Sequence, residues 1–132
     1  MSNPLVLVHF HDGEQAPVDT SVITGVLAPY KYNQEVLEVP DGGHVELSFS
    51  YADSEEHISS CHFALRINGF TPQVVECIYQ MAKVGDMVLI PDQYTDVILI
   101  DSAQEDHMPE GVEWEPRLCH NAEELQEMLL HF

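Results

Sequence analysis

Apolar and polar positions alternate most cleanly in HVELSFSY. There Val45, Leu47, Phe49 and Tyr51 interleave with His44, Glu46, Ser48 and Ser50, the period of two that puts one face of a strand inward and the other in water. Val36–Val39 precedes this run across Pro40-Asp41-Gly42-Gly43, so the two arms read as a β-hairpin. Leu5–Phe10, ended by Asp12-Gly13, reads as a first strand, and Cys61–Ile67 as another. Ser21–Leu27, SVITGVL, broken by Gly25 and stopped by Pro29, is rich in β-branched residues and is expected as a further strand.

The period changes after Phe70. Val74, Val75, Ile78, Met81 and Ala82 recur at helical spacing, with Thr71 as N-cap, Pro72 at the first helical position and Gly85 closing the end. DMVLIP and DVILID, Asp86–Pro91 and Asp96–Asp101, are nearly continuous apolar runs, the signature of strands covered on both faces. Gln104 to Glu113 is an acidic loop, and Trp114–Cys119 is expected as a last strand. Asn121 with Glu124 three residues on resembles a capping box, and Leu125, Met128, Leu129 and Phe132 mark the buried face of the helix it opens. These elements predict an α+β (or α/β) fold. One globular domain over 1–132 holds a mixed sheet of about five to seven strands, a β-rich N-terminal half and two main helices, near 71–84 and 121–131.

Composition narrows the function classes. The apolar share is 45%, enough for a packed core in a chain of 132 residues. Only 4 Lys and Arg stand against 23 Asp and Glu, a formal net charge of -19. Charged residues total only 20%, so the anomaly is a shortage of bases rather than an excess of charge. Such a chain repels nucleic-acid backbones and anionic lipid and attracts basic proteins. Neither direct nucleic-acid binding nor membrane binding is expected. Phosphoryl chemistry lacks its cationic and glycine-rich equipment, with Lys31, Arg66, Lys83 and Arg117 scattered. No secretory leader pattern is visible and no run approaches a membrane span. With Cys61, Cys77 and Cys119 widely spaced and odd in number, a cytoplasmic chain with reduced thiols is expected.

The candidate chemistry begins with HFHD. His9 and His11, two apart on a strand, point to the same face, which is how two imidazoles share a metal. Leu5 and Leu7 share that face too, so the pair also reads as the polar end of a core strand. Cys61-His62 and Cys119-His120 offer further ligands or nucleophile–base pairs, but adjacent strand residues face opposite ways. No nucleophile elbow, HExxH or EF-hand pattern is present.

Aromatics set among acids suggest an interface instead. Tyr30, Tyr32, Tyr94 and Trp114 supply rings, and Asp53, Glu55, Glu56, Glu105, Asp106, Glu110, Glu113 and Glu115 supply carboxylates for Lys or Arg on a partner. The expectation is an acidic, non-catalytic protein without a cofactor that captures and inhibits a basic protein partner, such as a toxin or nuclease, as an immunity protein does. The alternatives are a small metal-dependent enzyme or metal-binding protein using His9 and His11, with help from His62, His120, Asp12 and Glu14, and a homodimeric adaptor domain.

Overall fold

The computed structural model describes residues 2–66, 70–91, 96–110, 113 and 115–130. Among the described residues ten strands form one mixed sheet: β1 (Ser2–His11), β2 (Glu14–Ala16), β3 (Val18–Asp19), β4 (Lys31–Tyr32), β5 (Val36–Glu38), β6 (His44–Tyr51), β7 (His57–Arg66), β8 (Val88–Pro91), β9 (Asp96–Leu99) and β10 (Glu115–Leu118). The main path runs β10-β9-β8-β1-β7-β6-β5-β4, with β2 added to β1 and β3 to β7. β9 and β10 pair in parallel; β1 is antiparallel to both its neighbours, β7 and β8. The fold is therefore α+β, with its strand-rich half at the N-terminus. The strands of four residues or more are β1, β6, β7, β8, β9 and β10, and short ribbons of two or three residues account for the rest.

Three α-helices among the described residues, α1 (Thr20–Leu27), α2 (Pro72–Gly85) and α3 (Ala122–Leu130), cover one face of the sheet, with α2 touching the other two. Leu5 and Leu7 of β1, Leu47 of β6 and Phe63 of β7 meet Val74, Ile78 and Met81 of α2 in the main core. On the opposite face Val8, Val88, Val97 and Leu99 form a second, smaller cluster with Phe10, Ile90 and Met108. β8 and β9 are thus buried on both sides, as their unbroken apolar runs require.

Ser21–Leu27 is a helix, not the strand its β-branched residues suggest. Ile23 and Leu27, one turn apart, are buried in the main core, and α1 packs against α2 while Val22 stays exposed. Burial of that i, i+4 stripe outweighs propensities worth only tenths of a kcal/mol per residue, about 0–0.7. At the end of α2 the left-handed position is taken by Asp86, φ 50°, rather than by Gly85. Asp tolerates this region better than most residues. Gly85 is a packing glycine: a Cβ there would lie 3.2 Å from Met87 and 3.3 Å from Ile23. The N-terminal signals hold, with the Thr71 hydroxyl accepting from Val74 N–H at 3.4 Å. The Asn121 side chain likewise accepts from Glu124 N–H at 2.9 Å to open α3.

Candidate functional site

Strand direction decides where the acids go. β1 ends beside the start of β7, since Val8 pairs with Ser60, and beside the start of β8, since it also pairs with Val88. β9, antiparallel to β8, leaves the sheet at the same end. The β1–β2 hairpin, the β6–β7 turn, the end of α2 and the segment after β9 therefore gather along one rim of the sheet. From β9 across β8, β1 and β7 to β6 is four inter-strand steps, about 19 Å at the usual spacing.

The rim is strongly acidic. The hairpin contributes Asp12 and Glu14, the junction of β3 and α1 contributes Asp19, and the β6–β7 turn contributes Asp53, Glu55 and Glu56. Asp86 caps α2, and Asp101, Glu105 and Asp106 lie at the 3₁₀ turn Ser102–His107. All of these are exposed. Lys83, in the last turn of α2, is the one Lys or Arg at this end of the fold among the described residues, beside the imidazoles of His9, His11, His57 and His107. Lys31 pairs across Glu38 with His44 at the opposite end, Arg66 lies opposite Ser2, and Arg117 is bound to Asp96 at 2.8 Å.

Local chemistry fixes each part of the rim. Asp12 and Gly13 both have positive φ, 51° and 83°, the pair that closes a two-residue hairpin with the correct twist, and His11 pairs with Glu14 across it. His57 reaches Asp53 at 2.8 Å and Asp19 at 3.7 Å. The hydrogen bond and charge of Asp53 raise the imidazole pKa, and the same hydrogen bond lowers that of Asp53. Thr20 donates to the Glu55 carbonyl through its hydroxyl, 2.7 Å, and to the Glu56 carbonyl through its N–H, 2.9 Å, so the acidic turn is docked onto α1. Beyond β9, the Gln104 side chain accepts from Ile100 N–H and donates to Asp86 and to the Met87 carbonyl.

Asp53, Glu55, Glu56, Glu105 and Asp106, all expected at an interface, are brought to this rim. Glu110 is exposed beyond the 3₁₀ turn. Glu113 and Glu115 are exposed too, but Glu115 pairs with Asp96 at the far end of the sheet. Tyr30 and Tyr32 are half-buried against the main core, and Tyr32 donates its hydroxyl to the Leu47 carbonyl at 2.8 Å. Tyr94 and Trp114 lie outside the described residues. An exposed ring at the rim is Tyr51, 44% exposed beside the β6–β7 turn. Alternation puts Tyr51 in register with Leu47 and Phe49, hence inward; the register shift at Ser50/Tyr51 carries it past the covered part of the sheet.

His9 and His11 separate. His9 Nδ1 donates to the Asp86 carbonyl at 2.8 Å, while His11 stacks on His107 with ring centroids 5.1 Å apart. Asp12 lies beside both His11 and His107, and these three are brought together where His9 is not. Cys61, Cys77 and Cys119 are buried free thiols. Burial pushes Cys61 and Cys77 up to about 12 and raises Cys119 as well, which keeps all three protonated at neutral pH and poor as nucleophiles. His62 faces away from Cys61 and meets the Ser50 and Ser60 hydroxyls at 3.1 and 2.8 Å.

Two shallow concavities lie away from the rim. One of about 480 Å³ is bounded by Tyr30, Lys31, Glu38 and His44, and one of about 430 Å³ by Glu46, Ser48, His62 and Ala64 on the uncovered sheet face. Among the described residues no helix is long and apolar enough to cross a membrane. Comparison with family models, curated proteins and solved structures finds no match to this chain.

Proposed function

We propose that this chain is a non-catalytic cytoplasmic binding protein that captures and inhibits a basic protein, most concretely the immunity partner of a basic toxin. The observation that carries this reading is the acidic rim, where strand directions bring carboxylates from distant parts of the chain to one end of the sheet with Lys83 as the one Lys or Arg near them among the described residues. Like charges held this close repel one another, and a partner bearing Lys and Arg relieves that repulsion on docking. Such a field accelerates encounter and selects against acidic competitors more than it adds affinity. Tyr51 gives the rim an exposed ring of the kind that anchors interfaces. The Thr20 and Gln104 contacts hold the acidic turns in place, so little ordering remains for binding to pay for.

Capture from the native lysate, by wild type and by two charge-reversed forms, tests this. Glu55→Lys/Glu56→Lys alters the rim, and Glu38→Lys/Glu115→Lys makes the same charge change at the opposite end. One basic protein is expected at near one-to-one with wild type and with the far-end form. It should be lost with the rim form and on raising salt from about 50 to 500 mM, where the Debye length falls from roughly 14 to 4 Å. Equal retention by both reversed forms, or retention that ignores salt, overturns the reading.

A further inference from the structure

Two segments far apart in the chain meet where the β1–β2 hairpin touches the end of the 3₁₀ turn. Gly13 N–H donates to the His107 carbonyl at 3.0 Å, and Asp12 N–H donates to His107 Nδ1 at 3.1 Å. These two bonds, both donated by hairpin N–H groups, fix the two loops to each other without help from the carboxylate. They also mark Nδ1 as the bare nitrogen of the His107 ring, since it accepts. The imidazoles of His11 and His107 stack face to face, 18° between planes and 5.1 Å between centroids.

Asp12 completes the group. Its Oδ2 is 3.3 Å from His11 Nε2 and its Oδ1 is 3.5 Å from His107 Nδ1. One donor atom from each of the three residues lies within 4.8 Å of the others. A tetrahedral ion with bonds of about 2.0–2.1 Å requires donors roughly 3.3–3.4 Å apart, the edge of the tetrahedron. Each contact is within about 0.2 Å of that edge, but they run to different Asp12 oxygens, so the carboxylate must turn to bring one oxygen to both imidazoles. Closing the remaining gap needs only side-chain rotation, because all three side chains reach solvent. Two nitrogens and one carboxylate oxygen suit borderline first-row divalent ions better than calcium or magnesium, which prefer all-oxygen shells.

We propose that His11, Asp12 and His107 form a binding site for a divalent transition-metal ion, zinc in the first instance, with one coordination position left to water or an outside ligand. The ion would replace the Asp12 N–H at His107 Nδ1 and cross-link the hairpin to the 3₁₀ turn. The proposal does not depend on a protein partner.

Titration of the metal-free chain with zinc chloride at pH 7.5, followed by calorimetry and by thermal unfolding, tests it. Wild type should show one saturable site, and zinc at 100 times its Kd should raise Tm by about 10 °C for a chain of this size. His107→Ala should bind at least about tenfold more weakly, since even outer-shell losses cost about 10–100-fold. Asp12→Asn should also weaken binding while keeping the turn, because Asn accepts positive φ as readily as Asp. His120→Ala, which removes an exposed imidazole paired with Glu124, should leave the affinity unchanged. Equal zinc binding by wild type, His107→Ala and Asp12→Asn would place the ion elsewhere and overturn the proposal, as would the lack of any saturable one-to-one site.

Discussion

Gln104 is the polar group on which the 3₁₀ turn hangs, and replacing it by Leu isolates that contribution. The side chain is 5% exposed. Its carbonyl oxygen accepts from Ile100 N–H at 2.9 Å and Asp101 N–H at 3.3 Å, and its amide donates to Asp86 Oδ1 at 3.0 Å and to the Met87 carbonyl at 3.2 Å. Leu has nearly the same length and no polar atom. Asp86 and Asp101 can turn to water, so those two bonds are worth about 0.5–1 kcal/mol each. Ile100 N–H and the Met87 carbonyl are shielded, and each loses about 1–3 kcal/mol when left without a partner. Burying the extra apolar surface returns about 1–2 kcal/mol. The net is a loss near 3 kcal/mol, read as a fall in Tm of about 10 °C. Urea unfolding followed by circular dichroism measures it, and a lower midpoint at unchanged slope keeps the comparison two-state. Gln104→Glu keeps the accepted bonds but sets a second carboxylate against Asp86, so its deficit should shrink as pH falls. A loss below about 1 kcal/mol for Gln104→Leu would mean that the turn is not held by this side chain, and the account of how this part of the acidic rim is kept in place would fail with it.

The His57–Asp53 pair predicts a pH signature. A His pKa raised on folding contributes stability that is complete below the unfolded value, about 6.5, and is lost as pH rises through the folded one; the lowered Asp53 contributes above about 3.9 and loses that as pH falls. His57 should therefore titrate above the ordinary histidine value in an NMR titration, and Asp53→Asn should bring it back down; a His57 pKa at or below about 6.5 in wild type refutes the pairing. Two glycines should respond oppositely to Ala. At Gly43 a Cβ would collide with the Thr71 hydroxyl oxygen and come within 2.8 Å of Val74, disturbing the α2 N-cap, so Gly43→Ala should lose about 2–4 kcal/mol. Gly25, on the exposed side of α1 with nothing within 4 Å of a Cβ, should gain about 0.5–1 kcal/mol as Gly25→Ala. Thermal unfolding of the two variants checks both signs.

Much of the fold is legible in the chain because its local signals agree with its tertiary contacts. The Thr71-Pro72 start of α2, the alternation through Val45 and Leu47, and the unbroken runs of β8 and β9 each say locally what packing then rewards. α1 is the exception. Its β-branched residues favour a strand, and only the presence of α2 opposite Ile23 and Leu27 makes a helix the better solution. The short ribbons β2 to β5 escape for another reason: two or three residues carry no period to read.

The acidic rim is legible only in part, and the reason is topological. Each acid is visible in the sequence, but whether two of them share an end depends on the direction of the strands between them. Asp12 and Glu105 share an end because β8 is antiparallel to both β1 and β9; a parallel partner at either step would send the 3₁₀ turn to the opposite end of the sheet. The same dependence hides the His11–Asp12–His107 group, whose members are 95 residues apart where Asp12 meets His107. HFHD carries the visible half of a ligand set, and spacing on β1 makes His9 the natural companion of His11. The hairpin removes that companion. His9 is still on the body of the sheet, held to the carbonyl at the end of α2, whereas His11 is the last residue before the Asp12-Gly13 turn and sits on the protruding tip. A pair that periodicity joins is thus split by the edge of the core, and each member takes the partner its own side of that edge provides.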